Sequence, residues 1–248
     1  MDGNPSQGRA WVRTPLTRLR IHCEGDTALT KQHAGDVAVL GATGAVGRAV
    51  CRQLAAAQTP GHAIVRSHTT AVEGLPARVV DFDRAPELTD AVRARAVICC
   101  LGTTQGKAGR DGLRAVDCDL VLHCAERASR AGVEVFTVVS AMGASRRSPS
   151  FYSRVKGEME AGLRRIRLDT VHIVRPSLLL GDRDEHRPAE AVGQRLAPLL
   201  NPLLPMQYRA ISVDAVAKAL TQLSGPSTPG VWLHELPLGG RRSRRLDV

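Results

Sequence analysis

At 248 residues, 43% of them hydrophobic and with a formal net charge of +10, the chain has the size of one full α/β domain with a modest appendage. No apolar run approaches the ~20 residues of a membrane-spanning helix, and the start lacks the continuous apolar stretch of a secretion signal. The excess charge is arginine gathered largely at the ends, from Arg9 to Arg20 and from Arg241 to Arg245, and aromatic residues make up only 3%, so no stacking platform and no specific nucleic-acid binding are expected.

Residues 1–35 show no sustained periodicity and mix Pro5, Pro15, Gly3, Gly8 and Gly25 with charges, which predicts a poorly ordered basic extension. The domain proper is expected over 36–235. Val37-Ala38-Val39-Leu40 is a short apolar run ending in a glycine turn, as in a buried parallel strand. From Gly44 to about Ala57 the apolar positions Val46, Val50 and Leu54 recur every four residues and predict a helix. His62–Val65 and Arg78–Val80 read as the second and third strands. A short helix from Pro86 to Arg93 leads into a fourth strand, Ala96–Leu101. Leu113–Ala131 is a long amphipathic helix and Val133–Val139 the fifth strand. A helix over Tyr152–Arg165 and a strand over Thr170–Val174, stopped by Pro176, follow.

Beyond Pro188 the pattern loosens into a helix near 189–197, Ile211–Val213 leading into a helix to Leu223, and an edge strand at Val231–Leu233. Residues 236–248 read as a solvated arginine-rich tail. The alternation of strands and helices predicts a Rossmann-like, doubly wound parallel sheet with helices on both faces and a small substrate-side region from about residue 177.

The six cysteines show no Cys-x-x-Cys pair and no ligand-like spacing with histidine. Buried, reduced thiols in a cytoplasmic protein without a metal are the expectation.

Two features carry chemistry. The turn Gly41-Ala42-Thr43-Gly44-Ala45-Val46-Gly47 follows a predicted strand and opens a predicted helix. There, glycines allow close approach to a pyrophosphate, and the helix start offers unpaired N–H groups. Tyr152 and Lys156, one of two tyrosines and one of four lysines, stand at i and i+4 on one helical face. An ammonium beside a phenol stabilises the phenolate, so the pair can work as an acid or base.

An acidic residue gripping the adenosine ribose should end the second strand, but that place holds Arg66-Ser67. An arginine suits a 2′-phosphate, so NADP(H) is favoured over NAD(H), with Arg48 assisting. Asp81, past the third strand, is placed to contact adenine. Leu101, Gly102 and Thr103 end the fourth strand at the cofactor edge. Ser140 ends the fifth, where its hydroxyl is expected to orient a substrate carbonyl.

On these residues the chain resembles the extended or atypical short-chain dehydrogenase/reductases, and more closely the HIV Tat-interacting oxidoreductase family. The closer match rests on Cys99-Cys100-Leu101-Gly102-Thr103-Thr104-x-Gly106-Lys107-Ala108-Gly109 and on Tyr152-x-x-x-Lys156-Gly157-Glu158. It extends through Arg175-Pro176 and Leu178-Leu179 to Asp182-Arg183-x-Glu185-x-Arg187-Pro188. The resemblance spans about Asp36 to Leu223. It implies an NADPH-binding protein in which Tyr152 exchanges a proton, Lys156 binds the nicotinamide ribose, and Leu179 and Arg187 close over the cofactor. The departure is Ser67, where relatives tend to carry a second arginine.

The expected reaction is reversible reduction of a carbonyl on a small molecule. Two alternatives are a regulatory NADPH-binding protein with a protein partner and a cofactor-recycling epimerase or dehydratase.

Overall fold

The computed structural model describes residues 36–67, 72–177, 179–180, 210–236 and 243–246. Eight strands form one sheet: β1 (Val37–Leu40), β2 (Gly61–Val65), β3 (Ala77–Val79), β4 (Ala96–Cys99), β5 (Val135–Val139), β6 (Thr170–Pro176), β9 (Gly230–Leu236) and β10 (Ser243–Leu246). Their order is β10-β9-β6-β5-β4-β1-β2-β3. All neighbours are parallel except β10, which runs antiparallel to β9. A separate parallel pair joins β7 (Leu179–Leu180) to β8 (Ile211–Ser212).

The central strands are apolar throughout because both faces are covered, and the two-residue period of a strand divides their side chains between two cores. Val37 and Val39 join Ala96, Ile98 and Val135 on one face, against α1 (Ala45–Ala56) and α6 (Val213–Leu223). Ala38 and Leu40 join Val97, Cys99, Phe136 and Ile173 on the other. That face is covered by α2 (Ala85–Ala91), α4 (Val121–Arg130) and α5 (Phe151–Leu163). Among the described residues no helix is long and apolar enough to cross a membrane.

The chain goes from β1 outward to β2 and β3, then returns to place β4 on β1's other side. The chain therefore leaves the carboxyl ends of β1 and β4 toward opposite faces of the sheet, which is where such sheets take ligands.

Three elements differ from the sequence expectation. The predicted helix over 113–131 begins earlier, as α3 (Gln105–Arg114), kinked at Gly109 with φ +69°, and runs into α4 through a π-helical segment, Ala115–Leu120. The expected edge strand at Val231–Leu233 is longer and is covered by β10. β10 itself comes from the arginine-rich end: Arg244 and Arg245 stay exposed while Leu246 packs into the core, so this stretch is sheet and not a solvated tail. The extension over 1–35 and the helix near 189–197 lie outside the described residues.

Candidate functional site

The three glycines of the first turn have three different physical jobs. Gly41 has φ +75°, and a Cβ on it would lie 2.6 Å from the Cys100 carbonyl carbon, so it permits the turns after β1 and β4 to touch. A Cβ on Gly47 would fall 2.1 Å from the Gly41 oxygen, which no side chain tolerates; its absence lets α1 start directly against the turn. Gly44 is the N-cap of α1, and a Cβ there would meet only the Gly41 oxygen at 3.5 Å. Packing does not demand glycine at 44. What its bare backbone leaves is an open cradle before a helix start that no side chain caps and no first-turn acid neutralises, a site suited to a phosphate.

That cradle is one end of a cleft of about 320 Å³. Of the residues expected from sequence, Thr43, Gly44, Ala45, Val46, Leu101, Gly102, Thr103, Tyr152, Lys156 and Leu179 line it. Gly41 and Gly47 act behind the lining by shaping the turn. Arg48, exposed beside the cradle, donates from Nη1 to the Thr43 carbonyl at 2.7 Å and also lines the cleft.

At the other end, Tyr152 is 38% exposed and Lys156 only 2%. The Lys156 ammonium donates to Asp117 Oδ1 at 2.8 Å and to the Val139 carbonyl at 3.3 Å. An ammonium has three N–H donors, so one remains for a phenolate or a sugar hydroxyl. Burial disfavours the charge, but Tyr152 and Asp117 outweigh it, so the lysine's pKa is raised above its ordinary value. Asp117 uses its second oxygen to accept from the Thr103 N–H at 2.7 Å. One buried carboxylate thus ties the β4 turn to the lysine.

Sequence reasoning missed Asp117. Its signal is an acid inside an apolar stripe: Leu113, Val121, Ala125 and Ala128 are all buried on the same helical run, and Asp117 stands four residues from two of them. It also lies in the π-helical segment, a local form that often accompanies functional sites. Lys107 and Thr104 line the cleft too.

Ser140 is a correction. It was expected to orient substrate, but it is 1% exposed, does not line the cleft, and its hydroxyl donates to Glu160 Oε1 at 2.6 Å. Glu160 also accepts two bonds from Arg175, at 2.8 and 2.6 Å. A buried carboxylate needs donors on both oxygens, and Ser140 is one of them.

Arg66 and Ser67 follow β2 at the carboxyl edge and are exposed, outside the lining of this cleft. Asp81 also lies outside it; its carboxylate accepts from the Asp83 N–H at 3.0 Å, closing a local turn. Arg187 lies outside the described residues.

The donor set fits a nicotinamide dinucleotide: a glycine cradle at a helix start for phosphate, cations beside it, and the tyrosine–lysine pair at the far end. A match to the family described as NAD(P)H-binding over residues 41–224 agrees, and the chain belongs to that family. Its relatives sharpen the placement. It is 32% identical over 212 residues to Protein HTATIP2 of Rattus norvegicus, covering 83% of this chain and 88% of that one, which bears out the resemblance to the Tat-interacting family. It is 35% identical over 176 residues to Protein fmp52, mitochondrial, of Emericella nidulans, covering 66% and 76%.

Solved structures share the fold. MoeE5 in complex with UDP-glucuronic acid and NAD superposes with TM-score 0.63 at 18% identity, over 80% of this chain and 75% of that one. A putative NAD-dependent epimerase/dehydratase from Bacillus halodurans gives 0.61 at 21%, over 80% and 92%. The expectation of a cytoplasmic protein does not stand: the fungal relatives from Emericella nidulans, Debaryomyces hansenii and Candida albicans are named as mitochondrial proteins.

Proposed function

We propose that this protein is an NADP(H)-dependent oxidoreductase that interconverts a carbonyl and an alcohol on a small molecule. The observation that carries the reading is that Tyr152 and the buried Lys156–Asp117 pair line the same cleft as the Gly44 cradle. The bound nicotinamide would supply or accept the hydride. Tyr152, the exposed member, gives its hydroxyl proton to the substrate oxygen as the carbonyl is reduced and takes it back in the reverse direction. Lys156 stabilises the phenolate formed, and Asp117 keeps the lysine charged and in position. Proton transfer of this kind contributes about 10²–10⁴-fold.

Preference for the 2′-phosphorylated cofactor is supported by Arg48 beside the cradle and by Arg66 at the end of β2, where no acid stands to repel a phosphate. The test is calorimetric titration with NADPH and NADH, then turnover against a carbonyl panel. Tyr152→Phe is expected to abolish turnover and leave NADPH affinity within about twofold. Arg66→Asp is expected to weaken NADPH far more than NADH. Retained turnover in the first variant refutes the proton role, and an unchanged affinity ratio in the second refutes the cofactor preference.

A further inference from the structure

A second cleft, of about 610 Å³, shares no lining residue with the nucleotide cleft. One wall is the loop between β5 and α5, carrying Arg146 and Arg147; the other is the face of α5 that bears Gly157, Glu160 and Ala161 and ends in its C-cap Arg164. Arg175 reaches it from β6. The loop lies flat on the helix because Gly157 has no side chain: a Cβ there would fall 2.3 Å from the Ser145 carbonyl carbon.

The charges around this cleft are unbalanced. Its carboxylate, Glu160, is already satisfied by Arg175 and by the Ser140 hydroxyl. Three further guanidiniums, those of Arg146, Arg147 and Arg164, line this one cleft with no ion pair among the described residues. Arg164, half-buried at the end of α5, keeps its Nε inside the protein without a partner, as Arg95 and Arg127 do with one nitrogen each. Guanidinium forks match phosphate oxygens two at a time.

We propose that this cleft binds a phosphate-bearing small molecule, at a site separate from NAD(P)H. Arg164 and the pair Arg146 and Arg147 supply the donors. Arg175 and Glu160 form the floor, where the guanidinium also meets Glu235 at 3.7 Å. Through the Ser140 hydroxyl this floor is tied to the end of β5, whose Val139 carbonyl accepts from Lys156.

The experiment is calorimetric titration of the full chain with inorganic pyrophosphate at about 0.15 M salt, where weak surface attraction is largely screened. The wild type is compared with Arg164→Gln, with the double variant Arg146→Gln/Arg147→Gln, and with Arg48→Gln as the nucleotide-cleft control. With the nucleotide cleft first saturated with NADPH, expected is saturable pyrophosphate binding weakened about tenfold or more by either change in the second cleft and retained in Arg48→Gln. No saturable binding by the wild type overturns the proposal. So does an affinity indifferent to the Arg146/Arg147 change, which lies on an exposed loop and leaves folding intact, or one lost only with Arg48→Gln.

Discussion

Replacing Asp117 by alanine removes the carboxylate that accepts from both Lys156 and Thr103, leaving an ammonium in a place where neither side chain exceeds 3% exposure. At an effective dielectric near 20, a pair at 2.8 Å attracts by ~6 kcal/mol before desolvation is subtracted. Removing one partner of such a pair costs about 3–5 kcal/mol, because the other charge stays buried alone. That is a large share of the ~5–15 kcal/mol that holds a folded domain together. Removing both charges with Asp117→Leu/Lys156→Met is expected to recover most of the loss, since nothing charged remains to desolvate. The assay is urea denaturation followed by circular dichroism, read as a midpoint shift at constant slope. Asp117→Ala within about 1 kcal/mol of wild type, or a double variant that loses the sum of the two single losses, refutes the coupling. The pH dependence gives an independent check. The lysine's pKa is raised above 10.5 in the folded state, so the pair's contribution is fully present below 10.5 and is lost as pH rises through the higher folded value. The gap between wild type and Asp117→Asn should therefore narrow as pH rises through the lysine's raised value.

Gly47→Ala and Gly44→Ala separate packing from binding. The first puts a methyl group 2.1 Å from backbone oxygen and should lower thermal stability severely; the second, at 3.5 Å, should leave stability nearly unchanged and weaken NADPH binding at least tenfold by calorimetry. Ser140→Ala should cost about 1–3 kcal/mol in denaturant unfolding, because Glu160 loses a donor. Its turnover should fall by less than tenfold; a hundredfold fall at unchanged stability would restore the substrate role. His172, buried between His234 and Ser227, has its pKa pushed down by burial and then by His234, to about 4. The unfolded chain takes a proton near 6.5 and the folded one only near 4, so stability is full above 6.5 and drains away as pH falls across that window, by ~3 kcal/mol. His172→Gln should flatten this part of an acid-unfolding profile.

The sheet was legible because its strands are buried on both faces and so announce themselves as unbroken apolar runs: Val37–Leu40 and Ala96–Cys99 need no periodicity to be found. Gly41, Gly44 and Gly47 were legible as a turn, but not their division of labour, which depends on how closely Cys100 and the Gly41 oxygen approach. Tyr152 and Lys156 were legible because one helix presents both. Asp117 was not, since its partners Thr103 and Lys156 lie 14 and 39 residues away in sequence. Ser140 was misjudged for a related reason: position at a strand end shows the edge a residue reaches, not which acceptor wins its hydroxyl. β10 was missed because two arginines dominate its composition, while a single residue, Leu246, supplies its buried contact.

The same geometry explains why the acid–base pair and the phosphate cradle belong to one cleft. β1 and β4 are adjacent, and the chain leaves them in opposite directions. Only glycine at 41 allows their two turns to meet, since any Cβ would strike the Cys100 backbone. Once they meet, the β4 turn, Thr103 included, lines the same cleft as the cradle and α5. Asp117 converts that adjacency into electrostatics: one oxygen fixes Thr103, the other fixes the lysine. A disturbance of the β4 turn is therefore transmitted to Lys156 without passing through Tyr152. Gly102 is the place to see it, because a Cβ there would stand 3.3 Å from Asp117 Oδ1. Gly102→Val should push that oxygen off the ammonium and weaken cofactor binding and proton transfer together. Loss of binding with proton transfer intact, read as a turnover number preserved at saturating NADPH, would show that the turn and the lysine are independent.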